Sequence, residues 1–182
     1  MEIVKVETNN WLKVAHNVLS NQKHGIYYVV PDTGVVIVPQ KGIVDDQLCY
    51  DLGYKVYEAF TIGGVIVANT GDVEIAHVEV VDNDWLIRFR NHFISWLKSK
   101  GLNAEFDGND VLVDGYKICG MFAYVYSEVK YSGVHISMNV NLDHIKAICK
   151  KPMQKIPKGL YEYGVTTDEV EQMFLEFCNS DK

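Results

Sequence analysis

The chain holds no apolar run of the ~18 to 20 residues that a membrane-crossing helix needs, and its start, MEIVKVETNN, lacks the charged-then-apolar signature of a secretory leader. Membrane-spanning and secreted proteins are both poor readings, and a cytoplasmic location is expected. Cysteine is scarce. Cys49, Cys119, Cys149 and Cys178 stand far apart with no CxxC pair, which argues against a disulfide framework or a structural zinc and suits a reducing compartment. The six histidines show no HExxH or similar spacing, so nothing marks a dedicated metal site. Gly-x-Ser-x-Gly and Walker-type loops are missing, as are internal repeats, low-complexity stretches and Pro/Ser-rich linkers. Positive charge is also in short supply. Lys and Arg number 17 against 24 Asp and Glu, a net charge of −7. Broad nucleic-acid binding, which needs a cationic surface, is therefore not expected, although a small basic pocket for one phosphate remains open.

What is present is an ordinary globular composition, 48% hydrophobic and 23% charged over 182 residues, long enough for one domain with a real core. A single domain over residues 1–182, with no accessory C-terminal domain, is expected. Residues 10–23 predict a first helix, capped by Asn9 or Asn10, with Leu12, Ala15, Val18 and Leu19 at helical spacing. Two β-rich runs, 26–30 and 35–38, flank Pro31-Asp32-Thr33-Gly34, which reads as a hairpin turn. A short helix over 45–52, ended by Gly53, precedes strands at Val56, 65–68 and 73–80. A long helix from Asp82 or Asn83 to about Lys100 carries Leu86, Phe89, Phe93, Trp96 and Leu97 as one apolar stripe and stops at Gly101. Strands follow at 104–106, 111–113, 117–127 and 130–139, then a helix over 142–149 and a Lys- and Pro-rich segment, 150–158. A last helix runs from the cap Thr166 or Thr167 to about Cys178. This order predicts an α+β fold with a mixed, largely antiparallel sheet flanked by helices. Tyr54, Tyr57, Tyr124, Tyr126 and Tyr131 are expected to pack the sheet.

The segment richest in chemistry is Gly108-Asn109-Asp110-Val111-Leu112-Val113-Asp114-Gly115-Tyr116-Lys117-Ile118-Cys119-Gly120-Met121. Asp114-Gly115 is a hairpin signal, and Lys117 then opens an apolar strand. Taken alone, Lys117 is either an exposed hairpin lysine or a cation placed to meet an anionic substrate. Cys119 reads as a small core thiol more readily than as a reactive one. The segment as a whole resembles the central motif of the biotin/lipoate protein ligase family, in which an Asn-Asp pair precedes a strand, a tight turn and a catalytic lysine. Asn109, Asp110, Asp114, Gly115, Lys117 and Gly120 all match that pattern. Upstream, Thr61-Ile62-Gly63-Gly64 and Gly71 keep the frame of the lipoate ligases' glycine motif. Its arginine positions are held by Glu58, Ala59 and Phe60, its first glycine by Ile62 and its histidine by Ala68; Lys55 is the nearest cation in sequence. Residues 133–143, with His135, are similar to the strand after the lysine, and 150–160 to the Lys-rich connection that closes the lipoate ligase catalytic domain. His135 reads equally well as a ligand-facing group or as a partly buried core histidine.

The resemblance implies a catalytic domain that activates lipoate or octanoate with ATP to an acyl-adenylate and transfers the acyl group to a lysine of an acceptor domain. Biotin with a biotinyl acceptor is the alternative acid, and a ligand- or protein-binding domain without catalysis is the alternative class. It further implies Lys117 as the catalytic cation. Thr61, Gly63, Gly64, Val65, Val67, Gly120, Met121 and His135 would bind the acid, and Asn109, Asp110, Gly71 and Asp72 the nucleotide. Asp110 would act partly through Mg²⁺. Small carboxylic acids and a lipoyl or biotinyl domain are the expected partners, with neither nucleic acid nor membrane among them.

Overall fold

The computed structural model describes residues 3–5, 25–31, 33–58, 64–80, 84–126, 129–149 and 152–180. Its strands divide into two sheets. The larger has seven strands in the order β1 (Ile3–Lys5), β2 (Gly25–Val29), β6 (Val73–Val80), β10 (Val129–Ile136), β9 (Tyr116–Tyr126), β8 (Asp110–Val113) and β7 (Ala104–Asp107). The smaller runs β4 (Tyr54–Glu58), β3 (Gly34–Val38), β5 (Ile66–Ala68). The β1–β2 and β3–β4 pairs are parallel and the other described pairs antiparallel, so the mixed, largely antiparallel character expected from the sequence holds.

Period-2 alternation in the large sheet decides what lies on each face. Ile26 and Tyr28 of β2, Val73 and Ile75 of β6, and Val134 and Ile136 of β10 turn to one side. They meet two amphipathic helices there, α2 (Trp85–Ser99) and α4 (Thr167–Ser180). Phe89, Phe93 and Leu97 of the expected α2 stripe are fully buried, and Trp85, one position before Leu86, anchors its start by stacking on Phe89 at 5.4 Å. Each such side chain contributes about 1.5–3 kcal/mol by leaving water. Asp84 stands at the α2 N-cap without a side-chain capping bond. The sequence-derived caps Asp82 and Asn83 lie outside the described residues, as do the expected helix at 10–23, Tyr124 and Tyr126 as side chains, Thr61 and Gly63. For α4 the expected cap holds: Thr166 Oγ1 accepts from the Glu169 amide at 3.3 Å while Glu169 accepts from the Thr166 amide at 2.8 Å.

The opposite face of the large sheet receives the small one. Val35, Ile37 and Ala68 pack there with Phe122 of β9, whose ring lies over Gly133 where a Cβ would collide with it. The far side of the small sheet is covered by α1 (Asp46–Asp51) and α3 (Leu142–Ile148), through Cys49, Ile145 and Ile148 against Val36 and Val38. This overturns one expectation. The strands either side of Pro31-Asp32-Thr33-Gly34 form no hairpin, because β2 pairs with β1 and β6 while β3 pairs with β4 and β5 in the other sheet. The Pro-Gly punctuation carries the chain from one layer to the other. All four cysteines are free, and Cys119 is a buried core thiol whose pKa burial raises. Among the described residues no helix is long and apolar enough to cross a membrane.

Candidate functional site

The expected hairpin at Asp114-Gly115 forms, and both residues take positive φ, 51° and 81°, the left-handed pair that a two-residue turn of matching twist requires. Beyond it the β8–β9 register slips. Leu112 faces Lys117 and Val111 faces Cys119, so Ile118 is the extra residue of a β-bulge. The bulge breaks strict alternation and lets Lys117 share a face with Gly120 rather than with Cys119. The lysine chain then lies along the bare glycine: a Cβ at Gly120 would come 3.2 Å from Nζ and 3.3 Å from Cε. At this level β10 has ended, and the open edge of β9 is taken by a different segment. The Lys117 amide donates to the Ile156 carbonyl at 2.9 Å, and the Lys158 amide donates to the Lys117 carbonyl at 3.0 Å.

Asp110, at the start of β8, holds the lysine. Lys117 Nζ is 2.8 Å from Asp110 Oδ1, and Lys155 Nζ is 2.9 Å from Oδ2. Partial burial raises the Asp110 pKa, but the two ammonium groups outweigh it and hold the carboxyl below its ordinary range. Lys155 is in turn shifted up, chiefly by its bond to Asp110. A second charged group lies alongside on the cleft face. His135 of β10 is paired with Glu74 of β6 through Nδ1, faces Ser137 Oγ from Nε2 at 3.3 Å, and has Asp72 Oδ2 3.8 Å away. Burial depresses the imidazole pKa, yet Glu74 and then Asp72 outweigh this and the net shift is upward. Asp72 itself is fully buried and accepts amide N–H bonds from Asn69, Met138 and Asn139. Burial dominates there and pushes its pKa up to about 6.

Lys117, Asp110, Lys155 and His135 border a cleft of about 410 Å³. Its lining combines the charged Lys117, Lys155 and Asp110, with the polar Asn109 beside Asp110 in the chain, and the apolar Val65, Val67, Met121, Val140, Ile145 and Met153. Of the residues singled out in the sequence, Gly64, Val65, Val67, Asn109, Asp110, Lys117, Gly120, Met121 and His135 meet in this cleft. Gly71 and Asp72 do not line it. Asp72 instead bolts the loop after β5 to the loop after β10, and Gly71 lies under Tyr161, its carbonyl accepting from Thr167 at 3.0 Å. Lys155, Ser137 and Glu74 were not singled out; the only signal for Lys155 was the lysine-rich run that carries it. Ala68 is buried in the small sheet and Glu58 is exposed at the end of β4. Lys55, on β4, is not part of the cleft lining. Both Asp110 oxygens are engaged by lysines, and no group of three His, Cys, Asp or Glu suited to a metal occurs among the described residues.

The model of the lipoyl protein ligase A/B catalytic domain matches residues 14–176 of the chain. No curated protein sequence matches it. Among solved structures, a bi-partite lipoate protein ligase from Thermoplasma acidophilum, studied with its E2 lipoyl domain, superposes with a TM-score of 0.80 at 18% identity, over 97% of this chain and 81% of that one. A lipoate-protein ligase A bound with ATP gives 0.77 at 16% identity, over 96% and 81%. The biotin protein ligase from Aquifex aeolicus, in complex with biotin and ATP, gives 0.55 at 13% identity, over 97% and 66%.

Proposed function

Because this chain belongs to the lipoyl protein ligase A/B catalytic-domain family, we propose that its cleft activates a small carboxylic acid with ATP and passes the acyl group to a lysine of an acceptor domain. The observation that carries this reading is the cleft's mixed lining, in which the Lys117–Asp110 pair at 2.8 Å shares one cavity with Val65, Val67, Met121, Val140, Ile145 and Met153. That lining suits an acid with an apolar tail and an anionic head. The acid's carboxylate oxygen attacks the α-phosphorus of ATP and pyrophosphate leaves. An acceptor amine then attacks the acyl carbon and AMP leaves. Both transition states gather negative charge beside Lys117, where a preoriented cation is most effective. Asp110 fixes the direction of the ammonium group, and Gly120 leaves it room. Asn109 orients the nucleotide. Val65, Val67 and Met121 flank the acyl chain, with Gly64 at its polar end and His135 nearby.

The acid is lipoate or octanoate rather than biotin. The likeness to lipoate ligases in shape supports this, as do the Thr61 frame and the 150–160 segment. The acceptor is a lipoyl-type domain, as for the Thermoplasma neighbour. Magnesium enters with ATP as its phosphate counter-ion. The competing reading, a domain that binds its acid without adenylating it, draws on Glu58 and Ala68 at positions where the family resemblance implies arginine and histidine.

The test is to incubate the purified protein with ATP, Mg²⁺ and, separately, lipoate, octanoate and biotin, and to detect the acyl-adenylate by mass spectrometry. Adenylate from lipoate or octanoate is expected. Binding of an acid without adenylate would favour the competing reading, and adenylate from biotin alone would reassign the substrate.

A further inference from the structure

Asp110 is a ruler as well as a partner. Its two oxygens are taken by two different ammonium groups, Lys117 Nζ at 2.8 Å and Lys155 Nζ at 2.9 Å. Two cations held on the two oxygens of one carboxylate are spaced to meet two oxygens of one phosphoryl group as well, since the two anions present similar bites. The main chain keeps them so. The bonds between Lys117 and Ile156, and between Lys158 and Lys117, fasten the segment one residue past Lys155 to the backbone of Lys117 itself. Both border the cleft. Lys155 also touches the Asp107 carbonyl at 2.6 Å and the Asp107 carboxylate at 3.0 Å. That carboxylate is 64% exposed, and an ion pair so open to water is weak and readily exchanged.

Resting on the ligase reading above, we propose that Lys155 is a second catalytic cation, which exchanges the Asp107 carboxylate for an α-phosphate oxygen of ATP and shares that phosphoryl group with Lys117. In the step it serves, a carboxylate oxygen of the acid bonds to the α-phosphorus. The bond from that phosphorus to the bridging oxygen breaks, and its electron pair leaves on pyrophosphate; no proton moves. Two ammonium groups then neutralise the non-bridging oxygens while Asp110 keeps them apart.

The experiment measures ATP affinity by calorimetry, pyrophosphate exchange with the best acid, and the thermal midpoint, for wild type, Lys155→Gln, Lys155→Arg and Asp107→Asn. Lys155→Gln should lose ~10²-fold in exchange rate and bind ATP more weakly, with Lys155→Arg restoring most of both. Asp107→Asn removes the competing carboxylate, so ATP should bind as well or more tightly. If Asp107→Asn reproduces the Lys155→Gln loss, Lys155 is a fastener of the β7–β8 turn and the proposal falls. It falls equally if Lys155→Gln matches wild type in rate and ATP affinity. A wild type that binds ATP but forms no adenylate contradicts the ligase reading alone, and Lys155 is then judged by the ATP affinities. A wild type that binds neither ATP nor pyrophosphate overturns both.

Discussion

His135 is the most constrained titratable residue of the cleft, held between Glu74 and the buried Asp72 with Ser137 beside it. Burial alone would keep the imidazole neutral, whereas the two carboxylates favour the imidazolium and prevail. A group whose pKa is raised by folding stabilises the native state below its ordinary value and loses that contribution as pH rises through the raised one. Glu74→Gln removes the main opposing charge, leaving an imidazole that burial depresses, so the His135 contribution reverses sign. Wild type should therefore exceed Glu74→Gln in thermal midpoint most clearly at about pH 5 to 6, and the gap should shrink towards about pH 8. In parallel, the His135 NMR titration should lie above the ordinary histidine range in wild type and below it in the variant. A gap that widens with pH would contradict this. Glu74 was hidden in the sequence because it sits in a strand, 73–80, that reads as plain alternation; the one clue is an acid on the inward face of that strand. Lys117 and Asp110 were legible because a hairpin signal and a fixed spacing surround them.

Among the elements, the aperiodic stretch at 152–158 does the most for the site. It lacks a hydrophobic period, so no pattern in the sequence assigns it a place, yet it substitutes for the end of β10 beside Lys117. Its downstream anchor is Gly159, which packs so closely on the Met138 carbonyl that a Cβ there would collide with backbone. Gly159→Ala should cost about 1–3 kcal/mol of stability, because neither backbone can retreat without breaking the bonds from Leu160 and Tyr161 to Ser137 and Met138. It should also lower adenylate formation by displacing Lys155. The checks are a denaturation curve and the adenylate assay, and an unchanged midpoint would show that the anchor is dispensable. The hairpin expected at residues 31–34 failed for a related reason. Turn chemistry marks where a chain reverses, whereas the partner of each strand is set by distant residues, here Ile75 and His77 for β2 and Val56 for β3. The bulge at Ile118 likewise leaves no trace in composition, although it decides which way Lys117 points.

For the molecule as a whole, the net charge of −7 conceals a local inversion. Lys117 and Lys155 gather on Asp110 in a cleft where, among the described residues, that carboxylate is the one acid of the lining. The α+β class was legible because its strands and helices carry clean periods. The division into two sheets was not, because alternation is identical in both. The site was legible on one wall, residues 109–121, and partly on the other, residues 64–67; what the sequence hid was the meeting of these walls with residue 155. The proposed adenylate chemistry stands or falls with Lys117. The decisive measurement is single-turnover formation of acyl-adenylate by wild type and Lys117→Ala, with thermal midpoints taken side by side. A loss of ~10² to 10³ in rate with little change in midpoint is expected, since one electrostatic contact to the transition state is removed and few packed atoms go with it. Equal rates in the two proteins would contradict catalysis by Lys117.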